Sequence, residues 1–156
     1  QIERAQVWGL DITHLTTHMS AMQQRPEFFD VLLDIACEAD LPVRLEGSGA
    51  ETVAGFPFRR LASEEGIFMP DQFHLMRGGS RSALDAYLDA PRAGVTEISF
   101  EPALAAEELR AIDPTATGRI DDLAVLTDRR LPDRLARAGV TTIGYTAIRE
   151  LQQSRS

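Results

Sequence analysis

Apolar residues recur along much of the chain at the spacing of amphipathic helices. The clearest case is residues 26–39, PEFFDVLLDIACEA, where Pro26 suits the first helical position and the apolar side chains form a wide face. The same spacing predicts helices over residues 81–89, 105–112, 119–126 and 131–138. Residues 1–9, QIERAQVWG, have the pattern of the last turns of a helix that ends at a glycine.

Short β-prone segments alternate with these helices. They are residues 11–16 (DITHLT), 41–45 (LPVRL), 66–73 (GIFMPDQF, with a loop at Pro70-Asp71), 94–100 (GVTEISF) and 139–145 (GVTTIGY). Residues 46–66 contain GSG and show little periodicity, so we expect a long loop there. Strands that alternate with helices favour parallel βαβ units around a buried sheet or barrel, in a single α/β domain over residues 1–156.

The balance of charge excludes several classes of partner. The chain has 16 basic and 24 acidic side chains, a formal net charge of −8. No basic cluster is longer than a pair, so nucleic acid and anionic membranes are poorly supported as partners. No apolar run approaches the roughly 20 residues of a spanning helix, and we expect a soluble, cytoplasmic protein.

The single Cys37 rules out an internal disulfide and a multi-cysteine zinc site; its apolar helical surroundings predict a buried thiol.

Candidate reactive side chains follow the predicted strands. In parallel α/β folds, functional residues gather at the C-terminal ends of strands. This rule selects Thr17, His18, Arg44, Asp71, Glu101 and Tyr145. Ordinary roles stay open for each of them, such as a polar loop position for His18, a surface ion pair for Arg44, a turn for Asp71 and a solvated carboxylate for Glu101. There is no GxGxxG, Walker-type loop or GxSxG elbow, so nucleotide cofactors and a nucleophilic serine are weakly supported.

Two of the histidines lie in one short stretch, THLTTHMS, at residues 13–20. On an extended strand, His14 and His18 are about 13 Å apart at roughly 3.3 Å per residue, which is too far for one metal ion. At most one of them is therefore a ligand, and His18 is the better candidate because it lies nearer the strand end. We expect His14 to be a hydrogen-bonded structural histidine.

Several motifs follow one another in the order found in a known family. THLTTHMSAM, followed by RPEFFDVLLDIACEADLPVRL, resembles the stretch T-H-x-D-S-H, helix and V-R-L strand of the YdjC-like (ChbG/HpnK) carbohydrate deacetylases. MPDQF is similar to that family's P-D-x-F segment, and GVTEISFEPA to its G-V-T-E-L-x-x-H-P-G/A motif. ELRAIDP, RIDDLAVLTD and AGVTTIGYTAIREL are similar to its closing segments, so the resemblance covers essentially the whole chain.

The resemblance implies a polysaccharide-deacetylase-like distorted (β/α) barrel, of which this chain is the C-terminal part. It also implies a divalent metal ion, Zn or Mg, held by one Asp and two His, with only the later histidine, His18, within this chain. The implied activity is a metal-dependent hydrolase that removes N-acetyl groups from amino sugars or oligosaccharides. Glu101 would then act as an acid or substrate contact, and Arg44 and Asp71 would line the cleft for a small carbohydrate. A homo-oligomer is left open.

Two positions depart from the family pattern. The acid of T-H-x-D-S-H is Thr16 here, which removes a side chain that could orient His18. The histidine of the H-P-G/A motif is Glu101, and an ionised carboxylate repels a developing oxyanion. These departures keep a second hypothesis open: a non-catalytic carbohydrate-binding or interaction protein on a degenerate deacetylase scaffold.

Overall fold

Helices dominate the computed structural model of the chain, which describes residues 1–75 and 80–155. The helices are α1 Ile2–Val7, α2 Pro26–Ala39, α3 Ser48–Ala54, α4 Phe58–Glu64, α5 Ser80–Asp89, α6 Glu107–Ile112, α7 Ala116–Leu126, α8 Leu131–Arg137 and α9 Tyr145–Gln153, with a 3-10 turn at His18–Gln23. The strands are β1 Gln72–Leu75 and β2 Thr96–Ser99. Packing groups these elements into two units, Gln1–Asp71 with Ile143–Ser156, and Gln72–Thr142. The expectation of a single domain stays a prediction.

The predicted helices are confirmed. Helix α2 has the predicted bounds, with Pro26 in its first turn and Asp40 in a left-handed conformation (φ 47°) at its C-terminus. The helix predicted at the N-terminus is α1, and it ends just before Gly9, whose φ of 73° suits a glycine. Helices α5 to α8 cover the other predicted segments with shifts of a few residues. Among the residues described, no helix combines the length and apolar character needed to span a membrane.

The loop expected at residues 46–66 is wrong, because α3 and α4 form there. Each of these helices has seven residues, so its apolar period is too short to stand out in the sequence. The GSG motif begins α3, with Gly47 at the N-cap, and Gly55 ends it with a φ of 80°. The predicted loop thus consists largely of two short helices.

Most of the predicted strands are shorter than expected, and one is absent. Residues 140–144 have no regular structure, and α9 begins at Tyr145 instead. The strand predicted at 66–73 forms only at its end, as β1. Segments 11–16 and 41–45 are joined by one bridge, Leu15 to Val43. These segments lack the run of paired residues that a regular strand needs.

The pairing that does form is parallel, as predicted. Strands β1 and β2 pair in parallel, with Gln72 opposite Thr96. In the first unit the Leu15 N–H donates to the Pro42 carbonyl (2.9 Å) and the Arg44 N–H to the Leu15 carbonyl (2.8 Å). The Val43 N–H donates to the Phe68 carbonyl (2.9 Å), which aligns a third segment. The described residues therefore show a mixed α/β fold with one two-stranded sheet, and the distorted barrel stays a prediction.

The first unit has an aromatic core. Phe29 of α2 and Phe58 of α4 are fully buried, and their ring centroids are 5.9 Å apart. Phe56 contacts both rings edge-on at 5.7 Å. Burying one such side chain contributes about 1.5–3 kcal/mol. The other buried members of this core are Leu32, Ala36, Val43, Leu45, Ala62 and Ile67.

Polar side chains of helix α9 form hydrogen bonds to the rest of the first unit. Buried Gln152 accepts a hydrogen bond from the Phe68 N–H (2.7 Å) and donates one to the Asp40 carboxylate (2.8 Å). Arg149 donates to the Asp11 carboxylate and to the Ile12 carbonyl. The hydrogen bond from Arg149 also lowers the pKa of Asp11. Helix α9 thus contacts the chain next to each of the aligned segments.

Cys37 is exposed, so the expectation of a buried thiol is wrong. It lies on α2, whose buried residues are Phe29, Leu32 and Ala36, and it points away from that face. Desolvation raises the pKa of the thiol, and the charges of Glu65 and Asp34 raise it further. A raised pKa keeps the sulfur protonated and weakly nucleophilic at neutral pH.

The second unit is built around α5, α7 and β2. Leu84, Leu88 and Val125 form its buried apolar cluster, with Ile98, Phe100 and Leu135 packed against them. At the start of α7, Asp113 accepts hydrogen bonds from Thr115 and from Arg119. These bonds, with that from the Thr115 hydroxyl the largest cause, lower the pKa of Asp113 to about 2.

Replacing Gln152 with leucine is expected to lower the free energy of unfolding by about 2 kcal/mol, because the Phe68 N–H and the Asp40 carboxylate both lose a partner. Urea denaturation followed by circular dichroism measures this. The matched control is Gln153→Leu, since Gln153 is exposed and its side chain donates to the Asp40 carbonyl. Equal losses in both variants would contradict the assigned role of Gln152.

Replacing Asp113 with asparagine is expected to flatten the acid limb of the stability profile. Because the pKa of Asp113 is lowered on folding, its hydrogen bonds stabilise the protein above the ordinary value of 3.8, and this stabilisation is lost as the pH falls toward about 2. The urea midpoint of Asp113→Asn should lie below that of the unmodified protein at pH 7, and the difference should shrink as the pH approaches 2. A constant difference across this range would show that the carboxylate charge is not involved.

Candidate functional site

His18 lies at the first residue of a strained turn. Thr17 is extended, and the 3-10 turn begins with His18, whose side chain is exposed. Met19 and Ser20 both have left-handed backbone angles, φ 52° and 54°. This conformation costs a residue other than glycine roughly 1–2 kcal/mol. Such strain persists only where surrounding contacts hold it.

Contacts to Glu46 hold this turn. The Ser20 hydroxyl donates to the Glu46 carboxylate (2.7 Å), and the Glu46 N–H donates to the side-chain carbonyl of buried Gln23 (2.8 Å). The third and the last residue of the turn, Ser20 and Gln23, are therefore both attached to Glu46, which follows segment 41–45. The hydroxyl of Thr17, by contrast, is buried without a hydrogen-bond partner among the residues described.

His14 is placed as a structural histidine would be. Its ring stacks on the Tyr145 ring at a centroid distance of 3.8 Å and an angle of 14°. Its Nδ1 atom lies 3.0 Å from the Thr13 hydroxyl. His14 thus connects the first aligned segment to the start of α9, whereas His18 lies beyond the segment and faces solvent.

Arg44 and Asp71 follow the next two segments. Arg44 is half-buried, and its main chain is fixed by the hydrogen bond to Leu15. Asp71 is exposed, and its carbonyl accepts a hydrogen bond from Arg59 Nη2 (3.2 Å). Arg59 also donates to the carbonyls of Glu46 (3.0 Å) and Pro70. The guanidinium of Arg59 thus joins the chain after the second segment to the chain after the third.

A cavity of about 410 Å³ adjoins Asp71. Its lining consists of Arg59, Arg60, Ser63, Ile67, Phe68, Met69 and Asp71. Of the side chains predicted from sequence as functional, Asp71 alone lines it. His18 and Arg44 lie elsewhere in the first unit, so this cavity does not define the candidate site.

Glu101 belongs to the second unit, two residues after the end of β2. Its N–H donates to the carboxylate of buried Asp122 (3.0 Å), and its carbonyl accepts from Arg119 Nε (3.0 Å). The side chain of Glu101 is exposed. The main chain at this position is therefore fixed while the carboxylate is left accessible to a ligand.

The four residues to which the family resemblance gives a role fall in both units. His18, Arg44 and Asp71 lie in the first unit, and Glu101 lies in the second. Within residues 1–75 and 80–155, no group of three or more His, Cys, Asp and Glu side chains is arranged to hold a metal ion. As an exposed imidazole at the end of a segment, His18 fits as one donor, but the rest of a donor set is not found among these residues. Its role as a ligand stays a prediction.

Sequence reasoning missed two connecting residues, Glu46 and Arg59. Both fall in the segment that was expected to be an unstructured loop. Burial lowers the pKa of Arg59, while the charges of Glu51, Asp71 and Tyr145 raise it. The Arg59-Arg60 pair was visible as a basic dipeptide, but nothing in its local sequence distinguishes the half-buried arginine from the exposed one.

Comparison with known proteins supports the resemblance noted from the motifs. No curated protein matches the chain. A crystal structure from Enterococcus faecalis V583, of a protein proposed to be a cellobiose-phosphate cleavage protein, matches with a TM-score of 0.71 and 19% sequence identity. The match covers 95% of this chain and 57% of that protein, so the chain spans little more than half of its length. The family model described as YdjC-like protein matches residues 1–137, and the chain therefore belongs to the YdjC-like family.

Proposed function

We propose that the chain is part of a carbohydrate deacetylase that hydrolyses the N-acetyl group of an amino sugar or oligosaccharide. The observation that carries this proposal is the match of the YdjC-like family over residues 1–137, a range that includes the exposed His18 turn. The name of the Enterococcus faecalis protein refers to a phosphorylated disaccharide, which is consistent with a small carbohydrate as the ligand. We place the protein in the cytoplasm, without a nucleic-acid or membrane partner.

The proposed site uses His18 as one ligand of a divalent ion. An ion bound there would polarise an acetyl carbonyl and lower the pKa of a water molecule. Imidazole is a suitable donor for Zn, while Mg prefers oxygen donors, so His18 favours Zn of the two. The remaining donors are not found among the described residues of this chain.

The other three side chains are assigned to the sugar. Arg44 lies next to the Leu15–Val43 bridge, and Asp71 follows the segment whose Phe68 carbonyl pairs with Val43. At these positions a guanidinium and a carboxylate can hydrogen-bond to hydroxyl groups. The exposed carboxylate of Glu101 can transfer a proton or bind a hydroxyl group. Because an ionised Glu101 would repel an oxyanion, its useful form in proton donation is the protonated acid.

Replacing His18 with alanine is expected to reduce bound metal and to lower deacetylation of an N-acetylated chitooligosaccharide at least about 100-fold, since even outer-shell changes cost 10–100-fold. Metal content by mass spectrometry and acetate release measure the two effects. The control is His74→Ala, since His74 is also exposed but lies in the second unit near the Tyr87 ring. Unaltered metal content and turnover in His18→Ala would refute the assignment.

Restoring both family residues distinguishes a weakened enzyme from a carbohydrate-binding scaffold. If the protein is an enzyme, the double change Thr16→Asp with Glu101→His should raise acetate release about 10-fold or more, because it returns an orienting acid and a proton donor that carries no negative charge. If the protein is a binding scaffold, the double variant should release no acetate, and calorimetry should still show binding of the oligosaccharide. Absence of both binding and turnover would exclude a carbohydrate ligand of this class.

A further inference from the structure

We propose that Glu46 and Arg59 are positioning residues that fix the His18 turn and the Asp71 loop relative to each other within the first unit. This inference deepens the proposed function and rests on it for its catalytic consequence. We call the set Ser20, Gln23, Glu46 and Arg59, with the carbonyls of Pro70 and Asp71, the Glu46–Arg59 network.

Glu46 is the centre of the network because all three of its polar groups are engaged. Its carboxylate accepts from Ser20, its N–H donates to Gln23, and its carbonyl accepts from Arg59. The first two bonds hold the third and the last residue of the turn that begins at His18. Glu46 itself lies two residues after Arg44, so the network includes the chain next to a third predicted site residue.

Arg59 extends the network to Asp71. It is half-buried, and its guanidinium donates to main-chain carbonyls of Glu46, Pro70 and Asp71. The main-chain N–H of Arg59 donates to the Glu51 carboxylate (2.8 Å), which fixes the start of α4. Since main-chain carbonyls move only with the backbone, a planar guanidinium bound to three of them sets the distance between two loops.

Hydrogen bonds of the network, and not apolar packing, hold the backbone of the His18 turn. Glu46 and Arg59 are both absent from the apolar core of the first unit, and the side chain of Met19 is 82% exposed. The left-handed angles of Met19 and Ser20 are therefore not imposed by buried side chains of those residues. Backbone strain held by a polar network beside a candidate ligand is typical of functional sites, where ligand geometry must be held within about 0.5 Å.

The test compares variants of the two central residues in the intact protein. Glu46→Ala and Arg59→Met are expected to lower kcat about 10–100-fold while KM changes less than about threefold, as outer-shell changes at ligand-holding sites do. Amide hydrogen exchange over residues 18–23 should become at least about 10-fold faster in both variants. Glu46→Gln should restore both values, because its side-chain carbonyl still accepts from Ser20.

Arg60→Met is the matched control for Arg59→Met. Arg60 is the next residue of α4, is exposed, and pairs with Glu64 at 3.6 Å. The Arg60→Met change should leave kcat and the amide hydrogen exchange of residues 18–23 unchanged. If Arg60→Met produced the same losses as Arg59→Met, a general effect on α4 would explain both, and the positioning role would be wrong.

Ser20→Ala keeps the inference testable if Glu46→Ala does not fold, because it removes only the hydrogen bond to Glu46. Faster exchange of residues 18–23 with lower kcat would support the network. Unchanged exchange and kcat would overturn it. If the unmodified protein releases no acetate, the proposed function fails, and the exchange rates alone then decide whether the network holds the turn.

Discussion

The first unit depends on how the backbone polar groups of the three segments around Leu15, Val43 and Phe68 are satisfied. Buried N–H and carbonyl groups must be paired, and a regular sheet usually does this. Here a few hydrogen bonds around Leu15, Val43 and Phe68 take the place of a ladder. The Phe68 N–H donates to the side-chain carbonyl of Gln152 instead of to a neighbouring strand. A side chain of α9 thus completes pairing that would otherwise need another strand.

This constraint also shapes the candidate site. Because the segments are aligned over only a few residues, the chain that follows each of them is not fixed by continued pairing. The Glu46–Arg59 network provides that restraint, and it does so with bonds to the main chain. Polar contacts thus hold the turn that carries His18, the chain that follows Arg44 and the loop that carries Asp71.

Local signals in the sequence predicted the helices better than the strands. Helix α2 is predicted to the residue because Pro26 and a long apolar face are properties of the segment itself. A strand needs a partner, however. GVTEISF and GVTTIGY look alike, yet only the first contains a strand, β2, because it lies beside β1. The parallel arrangement was predictable from the alternation of elements, while strand lengths were not.

The same distinction applies to the site. The rule that functional residues follow strands selected His18, and the structure places it exposed at the end of a segment. Glu46 and Arg59 were missed because their contacts are remote in sequence, with Ser20 and Glu46 separated by 26 positions. Hydrogen bonds between such distant residues leave no periodic pattern. Only the folded chain reveals them.

Glu101 stands where the similar family motif has a histidine. The hydrogen bonds that hold this position involve its main chain and not its side chain. Asp122 and Arg119 both bind the main chain at this position, through the N–H and the carbonyl of Glu101. Neither bond depends on the side chain at position 101. Asp122 is buried on α7. A histidine at position 101 would accept and donate the same two main-chain hydrogen bonds as the glutamate. In this chain, therefore, the backbone geometry after β2 does not depend on a hydrogen bond from the side chain of residue 101.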